Sequence, residues 1–122
     1  MNSAFAQHFA KEWIAAWNAH DRDRVLSHYA DDFEMSSPYI VALMDEPSGT
    51  LVGKAAVEGY WRKALTALPD LHFDLLTVLV GANSITLYYK GASNRLAAEV
   101  LHFDGTQKVS RAFAHYDIPA AS

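Results

Sequence analysis

The 122-residue chain contains no cysteine. That excludes a disulfide scaffold and thiolate metal sites, and it fits a reducing, cytoplasmic setting. Glycine and proline are sparse, at six and four, and no internal repeat, low-complexity segment or domain linker appears. No apolar run approaches the roughly 20 residues that a membrane span needs. The opening Met1–His8 lacks the basic start and apolar core of a signal peptide. Ten Lys and Arg stand against fourteen Asp and Glu, for a net charge of −4. Without a basic patch, a nucleic-acid partner is not expected. Chemical signatures are missing too. There is no Gly-x-Ser-x-Gly elbow and no Gly-rich dinucleotide fingerprint after a strand. Gly49–Ala55 is one residue short of a phosphate loop and lacks the hydroxyl after Lys54. His72-x-Asp74 has no third metal ligand in view. The expectation is no metal and no cofactor.

What the chain does hold is aromatic surface: three Trp, six Tyr and six Phe. Such side chains supply much of the area in cores and in pockets for apolar ligands. The length suits one domain over residues 1–122, large enough to fold without staples.

Phe5, Phe9, Trp13 and Trp17 recur every four residues, so residues 4–18 read as a helix with one apolar stripe. Asp21 suits the N-cap of a second helix over 22–30, which Asp31-Asp32 ends. Residues 33–37 alternate as a short strand closed by Pro38. Residues 39–44 are apolar, readable as a strand or as a loop over a cavity mouth. A third helix runs from Lys54 to Leu68, with Val57, Trp61, Ala64, Leu65 and Leu68 inward. Strands follow at 71–80, 85–89, 95–103 and 109–118, joined by short turns. Short links favour sequential antiparallel pairing. The chain is therefore α+β: a curved antiparallel sheet packed against three helices of the N-terminal half.

The strand over 95–103 is apolar on both faces except for Glu99 at its centre. A lone carboxylate there is costly unless paired or protonated. If Glu99, Leu101 and Phe103 point inward, Ala98, Val100 and His102 point outward. Leu87 and Tyr89 share the inner face of the neighbouring strand, and Tyr89 and Tyr116 are placed to meet Glu99 or a ligand carbonyl. Arg95 and Arg111 are the alternative partners for its charge. Trp17 and Trp61 are expected on the pocket wall and Trp13 in the core.

Several stretches together resemble the nuclear-transport-factor-2-like superfamily, in its SnoaL-like and ketosteroid-isomerase-like branch. They are Trp17–Asp21, Tyr29–Phe33, Gly53–Val57 and Ala98–Gly105, set in this order of elements. The resemblance implies a cone-shaped, cystatin-like half-barrel with an apolar pocket, and a homodimer packed through the outer sheet face. An outer face carrying Val100, Phe113, Tyr88 and Thr86 is itself less polar than a solvated face. In steroid isomerases of this branch a carboxylate base, a tyrosine and a protonated carboxylic acid do the chemistry. By resemblance the acid falls on Glu99, the base on Ser37 before the proline, and the tyrosine near Trp13. Two of the three groups are thus replaced, and steroid isomerisation by that machinery is not expected. What remains is an isomerase, cyclase or hydrolase acting on a small apolar carbonyl compound through Glu99. A non-catalytic ligand-binding or interaction module of the same fold is the alternative. Glu99 is the candidate catalytic residue; Trp17, Ser37, Trp61, Leu87, Tyr89, Leu101 and Tyr116 are candidates for substrate binding.

Overall fold

Four α-helices, one short 3-10 turn and six strands make up residues 1–118, the part of the chain that the computed structural model describes. Helix α1 spans Ser3–Asn18 and starts where Asn2 Oδ1 accepts from Phe5 N at 2.7 Å. Of the expected stripe, Phe9, Trp13 and Trp17 are buried, with Ala6, Ala10 and Ala16 between them, and Phe5 at its start is half-buried. Helix α2 (Arg22–Leu26) is capped by Asp21 as predicted, Arg24 N donating to its carboxylate at 3.0 Å. Glu12 on α1 receives both Arg24 Nε (2.6 Å) and Arg24 Nη2 (2.8 Å) and ties the two helices together.

Helix α2 stops four residues earlier than expected, because strand β1 (Tyr29–Ser36) begins there. Asp31 and Asp32 do not end a helix; they lie exposed in β1, within an irregularity in its pairing. That irregularity lets both Tyr29 and Phe33 face the core and breaks the period-two signal. Residues 39–44 are neither strand nor loop. Ser37 Oγ accepts from Tyr39 N at 3.2 Å and Pro38 occupies the first turn, so Pro38–Leu43 forms helix α3. A short strand β2 (Thr50–Val52) follows, and Gly53 turns into helix α4 (Lys54–Ala67) at φ 93°, a conformation that favours glycine.

The second half is β3 (Asp74–Val80), β4 (Ser84–Lys90), β5 (Leu96–Phe103) and β6 (Val109–Tyr116). Strand β3 starts later than residue 71 because Asn18 holds Phe73 from α1, donating to its carbonyl at 3.0 Å and accepting from its N–H at 2.7 Å. The sheet order is β2-β1-β6-β5-β4-β3. The hairpins β3/β4, β4/β5 and β5/β6 are antiparallel as predicted; β2, which the sequence did not announce, pairs antiparallel with β1, and β1 runs parallel to β6. That pair has most of the chain as its connection, so no turn signal announces it. The fold is α+β with the helices on one face of the sheet. The core lies between α1 and the inner residues Ile85, Leu87, Leu101, Ala112 and Ala114. Among the described residues no helix is long and apolar enough to cross a membrane.

Candidate functional site

The register of the sheet decides what surrounds Glu99. It stands opposite Leu87 on one neighbour and Ala114 on the other. One rung toward the start of β5, Ala97 lies between Tyr89 and Tyr116. One rung the other way, Leu101 lies between Ile85 and Ala112. Small residues at 97 and 114 leave room that the two tyrosines lean across. Tyr89 OH donates to Glu99 Oε1 at 3.3 Å, the one hydrogen bond to this carboxyl among the described residues. Among the described residues no cation pairs with it: Arg111 lies toward Glu34 on the outer face, at 4.0 Å, and Arg95 lines the same cavity without an ion pair to Glu99.

Sheet and helices enclose a cavity of about 360 Å³. Trp13, Trp17, Trp61, Phe73 and Tyr89 form its inner wall. Tyr39, Ala42 and Leu43 of α3, with Ala64, Ala67 and Leu68 of α4, line the rest with Tyr60, Tyr116, Arg95 and Glu99. All three tryptophans of the chain are on this wall. The aromatic rings brace one another: Trp17 meets Trp61 edge-on at 4.9 Å between centroids, and Trp13 stacks on Phe73 at 5.6 Å. Trp13 is therefore both core and wall, where the sequence suggested core alone. Its indole N–H donates to Tyr29 OH at 2.9 Å behind the wall.

Of the residues singled out from sequence, Glu99, Trp17, Trp61, Tyr89 and Tyr116 line the cavity. Ser37 stands just behind it, sharing a hydrogen bond with the wall residue Tyr60 at 3.1 Å. Leu87 and Leu101 do not reach the wall; both are fully buried beneath it. Alternation gave their face correctly but not their depth, because the cavity ends at the Glu99 rung. Tyr60 was not singled out as a binding residue. The signal available was its place next to Trp61 on a helix facing the Ser37 turn.

Electrostatics follow from burial. Glu99 is 4% exposed, and burial raises its pKa from 4.5 to about 7, a rise the Tyr89 hydrogen bond only partly opposes. Tyr89 and Tyr116 are pushed well above the usual phenol range, by burial first and the Glu99 charge second. Tyr60 rises to about 12, also by burial, with Ser37 pulling the other way. The phenols stay protonated donors near neutrality, while the Glu99 carboxyl titrates at about 7, far above the usual carboxylate range. A site of this kind can move one proton at Glu99 and hold an oxygen between tyrosines. Among the described residues no group of three His, Cys, Asp or Glu is placed to hold a metal.

A SnoaL-like domain model matches residues 10–120. A search of curated proteins gives no match. Among solved structures, a SnoaL-like protein of unknown function from Burkholderia thailandensis is 56% identical, with a TM-score of 0.92 over 96% of this chain and 98% of that one. A candidate isomerase of the SnoaL-like family from Agrobacterium tumefaciens is 15% identical, with a TM-score of 0.73 over 93% of this chain and 97% of that one. A candidate polyketide cyclase from Sinorhizobium meliloti is 13% identical, with a TM-score of 0.73 over 94% of this chain and all of that one. The two remoter likenesses concern the fold alone.

Proposed function

Because the chain belongs to the SnoaL-like family, whose fold frames an apolar pocket here, we propose that this pocket is an acid–base site for a small apolar carbonyl compound. One observation carries the reading: Glu99 is a buried carboxyl with no cation, held by one phenol, on the wall of an aromatic cavity. With a pKa of about 7 it populates both protonation states near neutrality, which suits a group that must accept a proton and return it. As carboxylate it takes a proton from the carbon next to the carbonyl. The C–H electrons move onto the carbonyl oxygen, which accepts hydrogen bonds from Tyr116 or Tyr60. Where the substrate carries a carbon–carbon double bond beyond that carbon, the anion is a dienolate and Glu99 returns the proton to its far end, giving an isomerised product. Where it carries a second carbonyl, the enolate carbon attacks it, closes a ring, and Glu99 gives its proton to the alkoxide that forms. A candidate isomerase of the SnoaL-like family and a candidate polyketide cyclase share this fold. The reading also keeps the protein in the cytoplasm, in line with a chain free of cysteine.

The test is Glu99→Gln. The amide keeps size and a donor but cannot accept a proton at neutral pH. We expect turnover of a carbonyl substrate to fall at least 10²-fold, in line with loss of a general base, while ligand affinity changes less than fivefold. Native mass spectrometry of the purified protein identifies the ligand to use. The second reading, a binding module without chemistry, draws on the thin polar inventory of the wall. It requires the variant and parent to behave alike toward every ligand found.

The same reading includes a homodimer through the outer sheet face. Thr86, Val100 and Phe113 face each other across β4, β5 and β6 there, with Arg111 beside the Phe113 ring at 5.3 Å and His102 edge-on to it. We expect sedimentation at twice the 13.5 kDa chain mass and a shift to monomer in Phe113→Asp, which would bury a charge in the interface. A monomeric parent protein would rule this part out.

A further inference from the structure

The chain has five arginines. Four lie within 4.0 Å of a glutamate: Arg22 and Arg62 at Glu58, Arg24 at Glu12, and Arg111 at Glu34. The fifth, Arg95, has no carboxylate partner among the described residues, and it is the one that lines the cavity. Apart from Glu99 it is the only charged residue on that wall among the described residues.

Its position is fixed. Gly91 N donates to Arg95 O at 2.8 Å and Arg95 N to Ala92 O at 3.1 Å, closing the turn that leads into β5. Arg95 Nη1 donates to Asp117 O at 3.0 Å. A guanidinium has five N–H donors, so this single anchor leaves an edge able to take a carboxylate bidentately. By strand alternation Arg95, Ala97 and Glu99 share the inner face, and four residues of extended chain place the Cα atoms of Arg95 and Glu99 about 13 Å apart. Between them is Ala97, flanked by Tyr89 and Tyr116. The wall thus has a cationic end near the turn, an aromatic trough over a methyl group, and an acid at the far end.

We propose that Arg95 sets the specificity of the cavity, and that its ligand is an apolar carbonyl compound bearing a carboxylate at the end remote from the carbonyl. This rests on the acid–base reading of Glu99 above and names the substrate class for it. The arrangement also orients the ligand. A carboxylate placed at the other end would meet Glu99, a like charge or a group it would force to stay protonated, so one direction of entry is favoured.

The test uses two matched probes, 4-acetylbiphenyl and 4′-acetylbiphenyl-4-carboxylate, titrated by tryptophan fluorescence at pH 8. Proteins are the parent, Arg95→Met and Arg95→Lys. The acid is expected to bind the parent at least tenfold more tightly than the neutral ketone. Arg95→Met should remove that tenfold preference, costing the acid at least tenfold more affinity than it costs the ketone. Arg95→Lys, which keeps the charge, should retain most of the preference. An acid no tighter than the ketone, or equal losses for both probes in Arg95→Met, overturns the proposal. Exchange of the acetyl methyl protons in D₂O, followed by NMR on the neutral ketone, tests Glu99 separately. Exchange without acid preference removes the Arg95 inference alone. Acid preference without exchange supports Arg95 and counts against the carbonyl chemistry. Binding of neither probe overturns both.

Discussion

Glu99→Gln is expected to make the protein more stable in mild alkali and to flatten its response to pH. In the folded protein the carboxyl titrates at about 7 instead of 4.5, chiefly because of burial. A raised value means the folded state binds the proton more tightly than the unfolded chain. Stability is therefore highest below pH 4.5 with respect to this group, declines as pH rises through about 7, and is flat above. The full difference is on the order of 3 kcal/mol at 1.36 kcal/mol per pKa unit. Glutamine escapes that penalty but buries an amide N–H₂ that Tyr89 need not satisfy, at roughly 1 kcal/mol. The net expectation at pH 9 is a gain of about 2 kcal/mol, or about 8 °C in Tm for a domain of this size. Below pH 5 the variant should equal the parent or fall slightly behind it. Thermal unfolding from pH 4 to 9 checks this. Parallel curves for the two proteins would mean that Glu99 is not desolvated as described.

Trp13→Ala should have the larger cost. The side chain is 1% exposed, stacks on Phe73, meets Tyr89 and Trp17 edge-on, and donates its indole N–H to Tyr29 OH. Truncating a buried tryptophan costs about 3–5 kcal/mol, and Tyr29 loses its buried partner for about another 1 kcal/mol. The total is a large share of the 5–15 kcal/mol that usually separates folded from unfolded domains. At roughly 4 °C per kcal/mol, Tm should drop by about 15 °C or more. Trp13→Phe separates the two contributions, keeping a ring on Phe73 while removing the donor, and should cost about 2 kcal/mol. Urea unfolding of both variants decides it. A loss under 2 kcal/mol for Trp13→Ala would show that the wall collapses freely around the gap.

The parts of the fold legible in the sequence were those governed by local periodicity. A four-residue aromatic recurrence gave α1, and alternation gave β4 to β6 and the meeting of Tyr89 with Glu99. The parts that were not legible depend on distant partners or on interruptions. Helix α3 hides in an apolar stretch, although Ser37-Pro38 is a capping signal. The parallel contact of β1 with β6 leaves no local trace. The site shows the same division. Which side chains share a face was readable, but the depth at which the cavity ends was not, so Leu87 and Leu101 lie under its floor. Trp13 was assigned to the core because nothing in a helical stripe tells a wall from an interior. The unmatched state of Arg95 was also out of reach, since it depends on where four other arginines find their glutamates.

The place of β6 has a consequence for folding kinetics. It sits between β1 and β5, joining Tyr29 to Val109 and Ser36 to Phe113, partners 77 to 80 positions apart. Until that junction forms, β1 and β2 are separate from the sheet, and α3 and α4, which carry the Ser37–Tyr60 side of the cavity, have no opposite wall. Closing so long a loop is entropically slow compared with forming the three consecutive hairpins β3 to β6. The cavity is thus among the last features to appear. A ligand held across both walls should leave the folding rate nearly unchanged and instead slow unfolding, so occupancy would be read in the lifetime of the native state.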